Sequence, residues 1–339
     1  MKSSLLATIL IALLLAASAG HAHHSMAAFN RDAPVTIEGV VVKLEWANPH
    51  VYFYVEEQSG TEPVVWEVEA WPPFVLKRLG WTEESVKVGE RVTITGLAAR
   101  NPQRKMALMQ TLAKPGEAAV DVRIPRLMTT FTQPAAPVAE RADGLAGRWV
   151  AVFGPDASKL SSPTANIPLT PKGQAASAAF DEKVNSISCD ATPSPGFMLL
   201  PDVKSIEVSR DSIVIRGGES AAGDRIVHLD APSHDGAVES PHGHSIGHWE
   251  GRTLVVDTVR FAPHGPGGTL ARVPSGKDKH LVERLELHED GVGLTYNYEL
   301  EDPEYLAAPV TGSVQWQYRP DLDYHAVACD PDNARRFLE

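Results

Sequence analysis

"GHSIGHWEGRTLVVDTVRF", residues 243–261, decides between two kinds of fold. Its first five residues, Gly243-His244-Ser245-Ile246-Gly247, fit the G-x-S-x-G pattern of a serine-hydrolase nucleophile elbow. That elbow needs a strand before the serine and a helix after it, whose backbone N–H groups face the developing oxyanion. After Gly247 the chain instead reads as a strand, a Glu250-Gly251 turn and a second strand dominated by β-branched residues, Leu254-Val255-Val256-Asp257-Thr258-Val259. No helix can start there. Ser245 is therefore not read as a nucleophile, and the stretch is a hairpin of an all-β protein.

Working outward, residues 145–339 open with "LAGRWVAVF" and continue in strand-like runs at 205–216, 224–229, 252–260, 281–288, 292–300 and 310–318. Turn signals such as Ser209-Arg210-Asp211 and Glu289-Asp290-Gly291 separate them. This pattern predicts an antiparallel meander that closes as a barrel. Gly147-x-Trp149 is similar to the first strand of lipocalin-like barrels, and one helix is expected within "TPKGQAASAAFDEKV". Residues 23–115 also alternate: Trp66, Val68 and Ala70 share one face, opposite Glu67 and Glu69. "VYFYVEE" is apolar on both faces, so its second face must be covered. "WPPFVLKRLG" places proline in a first helical turn and Gly80 as a stop. Three strands, one helix and two strands is the order of a small OB-like five-stranded barrel. Between the two regions, residues 116–144 show little periodicity and read as a linker or a surface strap.

Residues 1–22 carry Lys2, an apolar run from Leu5 to Ala17 and small residues before a cleavage site, the pattern of a secretory signal. The run is too short for a stable membrane span. No cysteine follows it, so a periplasmic or secreted protein that is not a lipoprotein is expected, with no membrane insertion of the mature chain. The formal net charge of −12 repels nucleic acid and anionic lipid surfaces. Acidic and basic residues nearly balance in the OB-like region and form no basic stripe, so no nucleic-acid partner is expected. The two cysteines, Cys189 and Cys329, are expected to pair in an oxidising compartment. That bond would close a loop of about 140 residues, worth up to roughly 5 kcal/mol in the chain-entropy model.

The hairpin places His244, Ile246, His248 and Glu250 on one face and Ser245 and Trp249 on the other. Asp257 lies mid-strand among apolar residues. Pointing into the barrel, His244, His248, Glu250 and Asp257, with Trp249, would form a polar patch in an apolar cup, suited to ligand binding or to acid/base work. The alternative is that they hydrogen-bond loops at a barrel rim. Trp149 and Trp316 suit such a pocket and equally suit a core. His228, His234, His242, His244 and His248 crowd into one short region, but their spacings match no compact zinc signature and no cysteine is near. Scattered loop histidines are the expectation.

The N-terminus offers a different chemistry. Cleavage after Ala22 would expose His23, whose α-amine and Nδ1 form a bidentate chelate that Cu(II) favours. His50 in "NPH", or His24 next door, would supply a further imidazole. Cleavage after Gly20 would give a square-planar site using backbone nitrogens and His23, cleavage after Ala19 neither geometry, and a solvated, frayed terminus no site.

Both halves resemble families of exported bacterial proteins of unassigned function. The N-terminal resemblance rests on His23-His24-Ser25 with Phe29, on Trp46-Ala47-Asn48-Pro49-His50, and on the stretch from Leu76 to Gly96. The C-terminal one rests on Gly243 to Phe261, Val282 to Arg284 and Asp302 to Pro309, with Arg252 where that family's pattern has Asp. Neither resemblance brings an established activity. Three functions compete. The favoured one is a periplasmic binding protein for a small apolar or aromatic ligand, with a copper site at the N-terminus. The second is an isomerase, hydrolase or copper redox enzyme. The third is a docking partner presenting an exposed apolar patch.

Overall fold

The computed structural model describes residues 28–59, 62–123, 138–153, 167–180, 189, 192–217, 223–265, 273–324 and 326–336. The signal segment, His23 and His24 lie outside the described residues, as does part of the expected linker, 124–137.

The N-terminal half builds strands β1 (Phe29–Trp46), β2 (Val51–Ser59), β3 (Glu62–Glu69), β4 (Arg91–Ala99) and β5 (Met106–Ala113). β1 pairs with both β2 and β4, β2 with β3, and β4 with β5, all antiparallel. β3 then pairs in parallel with β5 through Val68↔Ala107. The sheet thus closes on itself in the order β1-β2-β3-β5-β4, as the OB-like reading requires. Helix α1 (Pro73–Arg78) bridges β3 and β4, started by Pro73 and ended before Gly80 at φ +85°. Ile37, Val41, Phe53, Val55, Val68 and Ile94 are among the residues that fill its core. The second face of β2 is covered as well, because Tyr52 packs with Phe29, Met106 and Leu108. A short β6 (Val120–Asp121) extends the sheet along β5.

The C-terminal half builds β7 (Gly147–Val152), β8 (Val203–Val208), β9 (Ser212–Gly217), β10 (Arg225–His228), β11 (His244–Glu250), β12 (Thr253–Val259), β13 (His280–Leu287), β14 (Gly293–Glu301) and β15 (Val310–Tyr318). They close in the order β10-β11-β12-β13-β14-β15-β7-β8-β9. The run expected at 205–216 divides into β8 and β9 at the Ser209-Arg210-Asp211 turn. A closed barrel of nine strands cannot be antiparallel throughout, since alternation fails once around an odd ring. The exception is β10–β11, parallel through Val227↔Ser245. This corrects the purely antiparallel meander: parallel neighbours need a long crossover, and residues 229–243 supply it. The decisive hairpin closes through Gly251 and Arg252, with Glu250 opposite Thr253. Gly251, at φ +62°, is the first central residue of this two-residue turn, where a type II′ turn places glycine. Arg252 braces it by donating to the carbonyl of His288 at 2.9 Å.

Trp149, Trp316, Tyr296, Leu254 and Val256 belong to the core of this barrel. One end is capped by a short helix, α3 (Gly196–Leu199), whose Phe197 and Met198 are fully buried. Helix α2 (Pro171–Ala179) lies within the stretch expected to be helical, its N-terminus capped by Thr170 accepting from the Gly173 N–H at 3.0 Å.

After β15 the chain returns to the first barrel. Asn48 donates to the Ala328 carbonyl at 3.1 Å, Asp330 donates back to Asn48 at 2.9 Å, and the Asn333 side chain donates to the His50 carbonyl at 2.8 Å. Cys189 and Cys329 are bonded and lock this return at a sequence separation of 140. Arg78 of α1 reaches the carbonyls of Ala151 and Pro201, each at 3.1 Å. Among the described residues no helix is long and apolar enough to cross a membrane.

Candidate functional site

Strand alternation sorts the polar residues of the second barrel. Leu254, Val256 and buried Thr258 face inward on β12, so Asp257 faces outward. Ser245 and Gly247 face inward on β11, so His244, His248 and Glu250 face outward. The reading that these residues line the lumen is thereby corrected. His248 sits on the surface 3.3 Å from Glu250, which also pairs with Arg284. Trp249 has the inward parity but lies at the strand end and is 44% exposed.

The lumen is polar through other residues. Arg225 and Glu283, both buried, form a two-pronged ion pair across the barrel, with Nη1 to Oε1 at 2.9 Å. Tyr296 donates to the same carboxylate at 2.7 Å, and Arg225 reaches Ser245 and Thr258, each at 3.3 Å. Burial, seconded by the Glu283 charge, pushes the Tyr296 phenol well above its usual value. Nearer the capped end, Lys204 pairs with Asp202, and the buried His242 ring lies 4.8 Å from the Phe197 ring. Burial holds His242 down at about 4, and the neighbouring cations Arg225, Lys204 and Lys279 add to the effect against a backbone hydrogen bond at Gly223. Ser245 is thus a buried member of a hydrogen-bonded group and not an exposed nucleophile.

Lys279 is the least satisfied of these groups. An ammonium carries three donors. One of them meets the Ser194 carbonyl at 2.6 Å, and the Phe261 ring lies 4.1 Å from Nζ. Among the described residues it has no further hydrogen bond. Burial pushes its ammonium down to about 7, Arg225 adds to this, and Asp302 and Glu283 oppose it. Arg225 Nε, Ser194 Oγ, Trp316 Nε1 and Asp302 Oδ1 are likewise buried with no hydrogen-bond partner among the described residues. Buried polar atoms of this kind are uncommon in folded proteins, and each calls for an explanation.

Behind the same strands, on the outer face, lies a second group. Asp257 accepts from Nε2 of His234 at 3.0 Å and from Nε2 of His280 at 2.9 Å. His234 Nδ1 and His244 Nδ1 share a hydrogen bond at 2.8 Å, and the His228 ring stacks on His244 at 4.9 Å between centroids. Glu301 lies 3.6 Å from His280 Nδ1. Partial burial, followed by the charges of His228 and His234, lowers the affinity of His244 for a proton. Burial also opposes protonation of His280, but Asp257 and Glu301 outweigh it and raise the imidazole above its usual value. The histidines expected to scatter therefore part company: His228, His234 and His244 gather outside the barrel, His242 lies inside it, and His248 stands apart.

In the N-terminal barrel, His50 Nδ1 faces two acceptors, the Ala70 carbonyl at 3.4 Å and Glu69 Oε1 at 3.2 Å. The second is an ion-pair contact whose geometry is not that of a hydrogen bond, so Glu69 Oε1 is buried without a hydrogen-bond partner. Tyr52 donates to the other oxygen of Glu69 at 3.2 Å. Arg336 lies 4.8 Å from the centre of the Tyr52 ring and pairs with Glu45 at 2.6 Å. The His50 side chain is 19% exposed.

Residues 11–107 match a family of unknown function, DUF6152. The DUF6152 match takes in His50, Glu69 and the first four strands, ends at the start of β5, and does not reach the second barrel. No curated protein matches the chain.

Sequence reading missed Arg225, Lys279 and Glu283, although their parity was available. Glu283 stands between Leu281 and Leu285, and Arg225 two before Val227, each in step with core residues. His234 and His280 carried no signal of their own. The crossover and the strand register bring them to Asp257.

Proposed function

We propose that the chain is exported and binds a small organic molecule in its C-terminal barrel, an apolar or aromatic body bearing a carboxylate or similar acceptor. The observation that carries this reading is Lys279, a buried ammonium with one hydrogen bond, beside the cations Arg225 and Lys204. Asp302 and Glu283 offset only part of the cost of burying this charge, which runs to several kcal/mol, and a ligand acceptor would offset more of it. Trp316, Tyr296 and Tyr298, buried in the core of the same barrel, are the aromatic side chains against which the apolar body would pack. Access in this reading runs past α3, where Ser194, two residues before the helix, already holds Lys279. The Cys189–Cys329 bond supports an oxidising compartment.

Native mass spectrometry of protein exported through its own signal tests the reading. The wild-type chain is expected to carry, or to take up from a set of aromatic carboxylates, one molecule per chain, and Lys279→Met to bind it at least tenfold more weakly. Uptake unchanged in Lys279→Met would contradict it.

A second reading places Cu(II) at the N-terminus, and His50 favours it. Metal-bound histidines commonly donate their other ring N–H to a carboxylate or carbonyl, as the Ala70 carbonyl offers to His50 Nδ1 at 3.4 Å. Ala28 packs against the cluster that contains Tyr52, and the five residues back to His23 span up to roughly 17 Å when extended. An intact mass beginning at His23 with one nitrogen-coordinated copper by EPR, lost in His50→Ala, is the expected result. A different N-terminus or no tightly bound copper would remove this reading.

A further inference from the structure

We propose that His234 and His244, joined by His228, hold a divalent transition-metal ion such as Zn(II) or Cu(II) on the outer face of the C-terminal barrel. Hydrogen-bond accounting comes first. Asp257, as a carboxylate, can only accept, so its bonds at 3.0 and 2.9 Å place protons on Nε2 of His234 and Nε2 of His280. A neutral His234 then presents the lone pair of Nδ1, and His244 fills it by donating from its own Nδ1 at 2.8 Å. Metal–nitrogen bonds of about 2.0–2.1 Å hold two adjacent ligand nitrogens roughly 2.8–3.4 Å apart, by square-planar or tetrahedral geometry. At 2.8 Å the two nitrogens already stand at a ligand–ligand spacing, and a turn of the rings that aims both lone pairs to one side of the N–N line makes room for the metal there. When the metal replaces the proton of this contact, that proton moves to His244 Nε2, and both rings remain neutral ligands.

The surroundings agree with this. A carboxylate on the far nitrogen of His234 is the usual outer support of a metal-bound histidine, fixing tautomer and ring direction. Among the described residues no group of three or more His, Cys, Asp or Glu side chains is already gathered to hold a metal. The third ligand comes from rotation of His228, whose ring stacks 4.9 Å from that of His244. All three residues are partly exposed, His234 with 22% of its side chain, so the ion reaches them from solvent. Because the site lies outside the barrel, its failure leaves the lumen reading untouched.

Isothermal titration with Zn(II), on the full chain carrying His23→Ala, His24→Ala and His50→Ala, isolates this site from the N-terminal one. One ion per chain is expected, with binding abolished in His234→Ala and His244→Ala. Asp257→Asn, which preserves shape, should weaken binding 10–100-fold. His248→Ala, on the same face but paired with Glu250, should leave it unchanged. Circular dichroism confirms that each variant is folded, and Cu(II) EPR should show two to three nitrogen ligands in the parent and the same set in Asp257→Asn. No saturable binding, or equal binding in His234→Ala and His244→Ala, would overturn the proposal, as would an equal loss in His248→Ala.

Discussion

The strands β10 to β13 carry polar groups on both faces, and the two groups behave oppositely. Inside, Arg225, Ser245, Thr258 and Glu283 are buried and bonded to one another, so their positions are fixed by the cost of leaving any one unpaired. Outside, His228, His244, Asp257 and His280 sit one residue away from inner members or nearly so, half-exposed, and linked through protons that can move. One pleated wall thus holds a locked network and an adjustable one. The difference teaches that residue type does not announce a role here. A histidine on this wall faces a titratable surface, whereas a glutamate three residues along the same strand helps to hold the barrel together.

The largest effect expected from this contrast is on the inner side. Glu283→Ala should cost about 3–5 kcal/mol in urea unfolding, because it strands Arg225 and Tyr296 in the lumen. Replacing both partners, Arg225→Met with Glu283→Leu, should recover most of that loss, since well-packed apolar pairs often replace buried ion pairs at little cost. A double variant as unstable as the single one would mean that the network does more than satisfy its own charges.

Next in size is a pH effect from the capped end. Lys279 in the folded chain titrates at about 7 against an ordinary 10.5. The unfolded chain therefore binds more protons between those values, and stability should rise with pH across that window. Below about 7 both states are protonated and the burial penalty is present in full. His242, held at about 4 against 6.5, should likewise remove stability as pH falls through that lower range. Lys279→Met should flatten the upper slope in urea midpoints measured from pH 4 to 10 and leave the lower slope in place. An unchanged upper slope would refute the buried ammonium.

The outer face should respond least. Asp257→Asn is expected to shift stability by no more than about 1 kcal/mol, as exposed pairs do. The pH dependences of the two histidines there run in opposite senses. His280, raised by its carboxylates, adds stability below the imidazole range, while His244, lowered, adds it above. A loss in Asp257→Asn as large as that in Glu283→Ala would erase the contrast between the faces.

Much of the architecture was legible before the structure. The decisive hairpin, the OB-like strand order, the helix at Pro73 and the pairing of Cys189 with Cys329 all follow from periodicity, turn chemistry and compartment. The candidate sites were less so. Alternation says which residues share a face but not which face is inside, and His244-x-x-x-His248 alternates as well as the core does. The inward side is marked on β12 by Leu254 and Val256 and on β13 by Leu281 and Leu285, a comparison across strands that a single hairpin does not provide. The meeting of His234 with Asp257 depends on the crossover at 229–243, which follows from the odd number of strands and so from closure of the whole barrel.

The most direct test of the central claim is a tryptophan-fluorescence titration with an aromatic carboxylate that native mass spectrometry has shown to bind, at pH 6 and pH 9. With Lys279 protonated at pH 6 and neutral at pH 9, the account predicts affinity at least tenfold tighter at the lower pH. It also predicts that Lys279→Met removes this difference. Equal affinity at the two pH values, or a pH dependence that survives in Lys279→Met, would contradict a ligand held by this lysine.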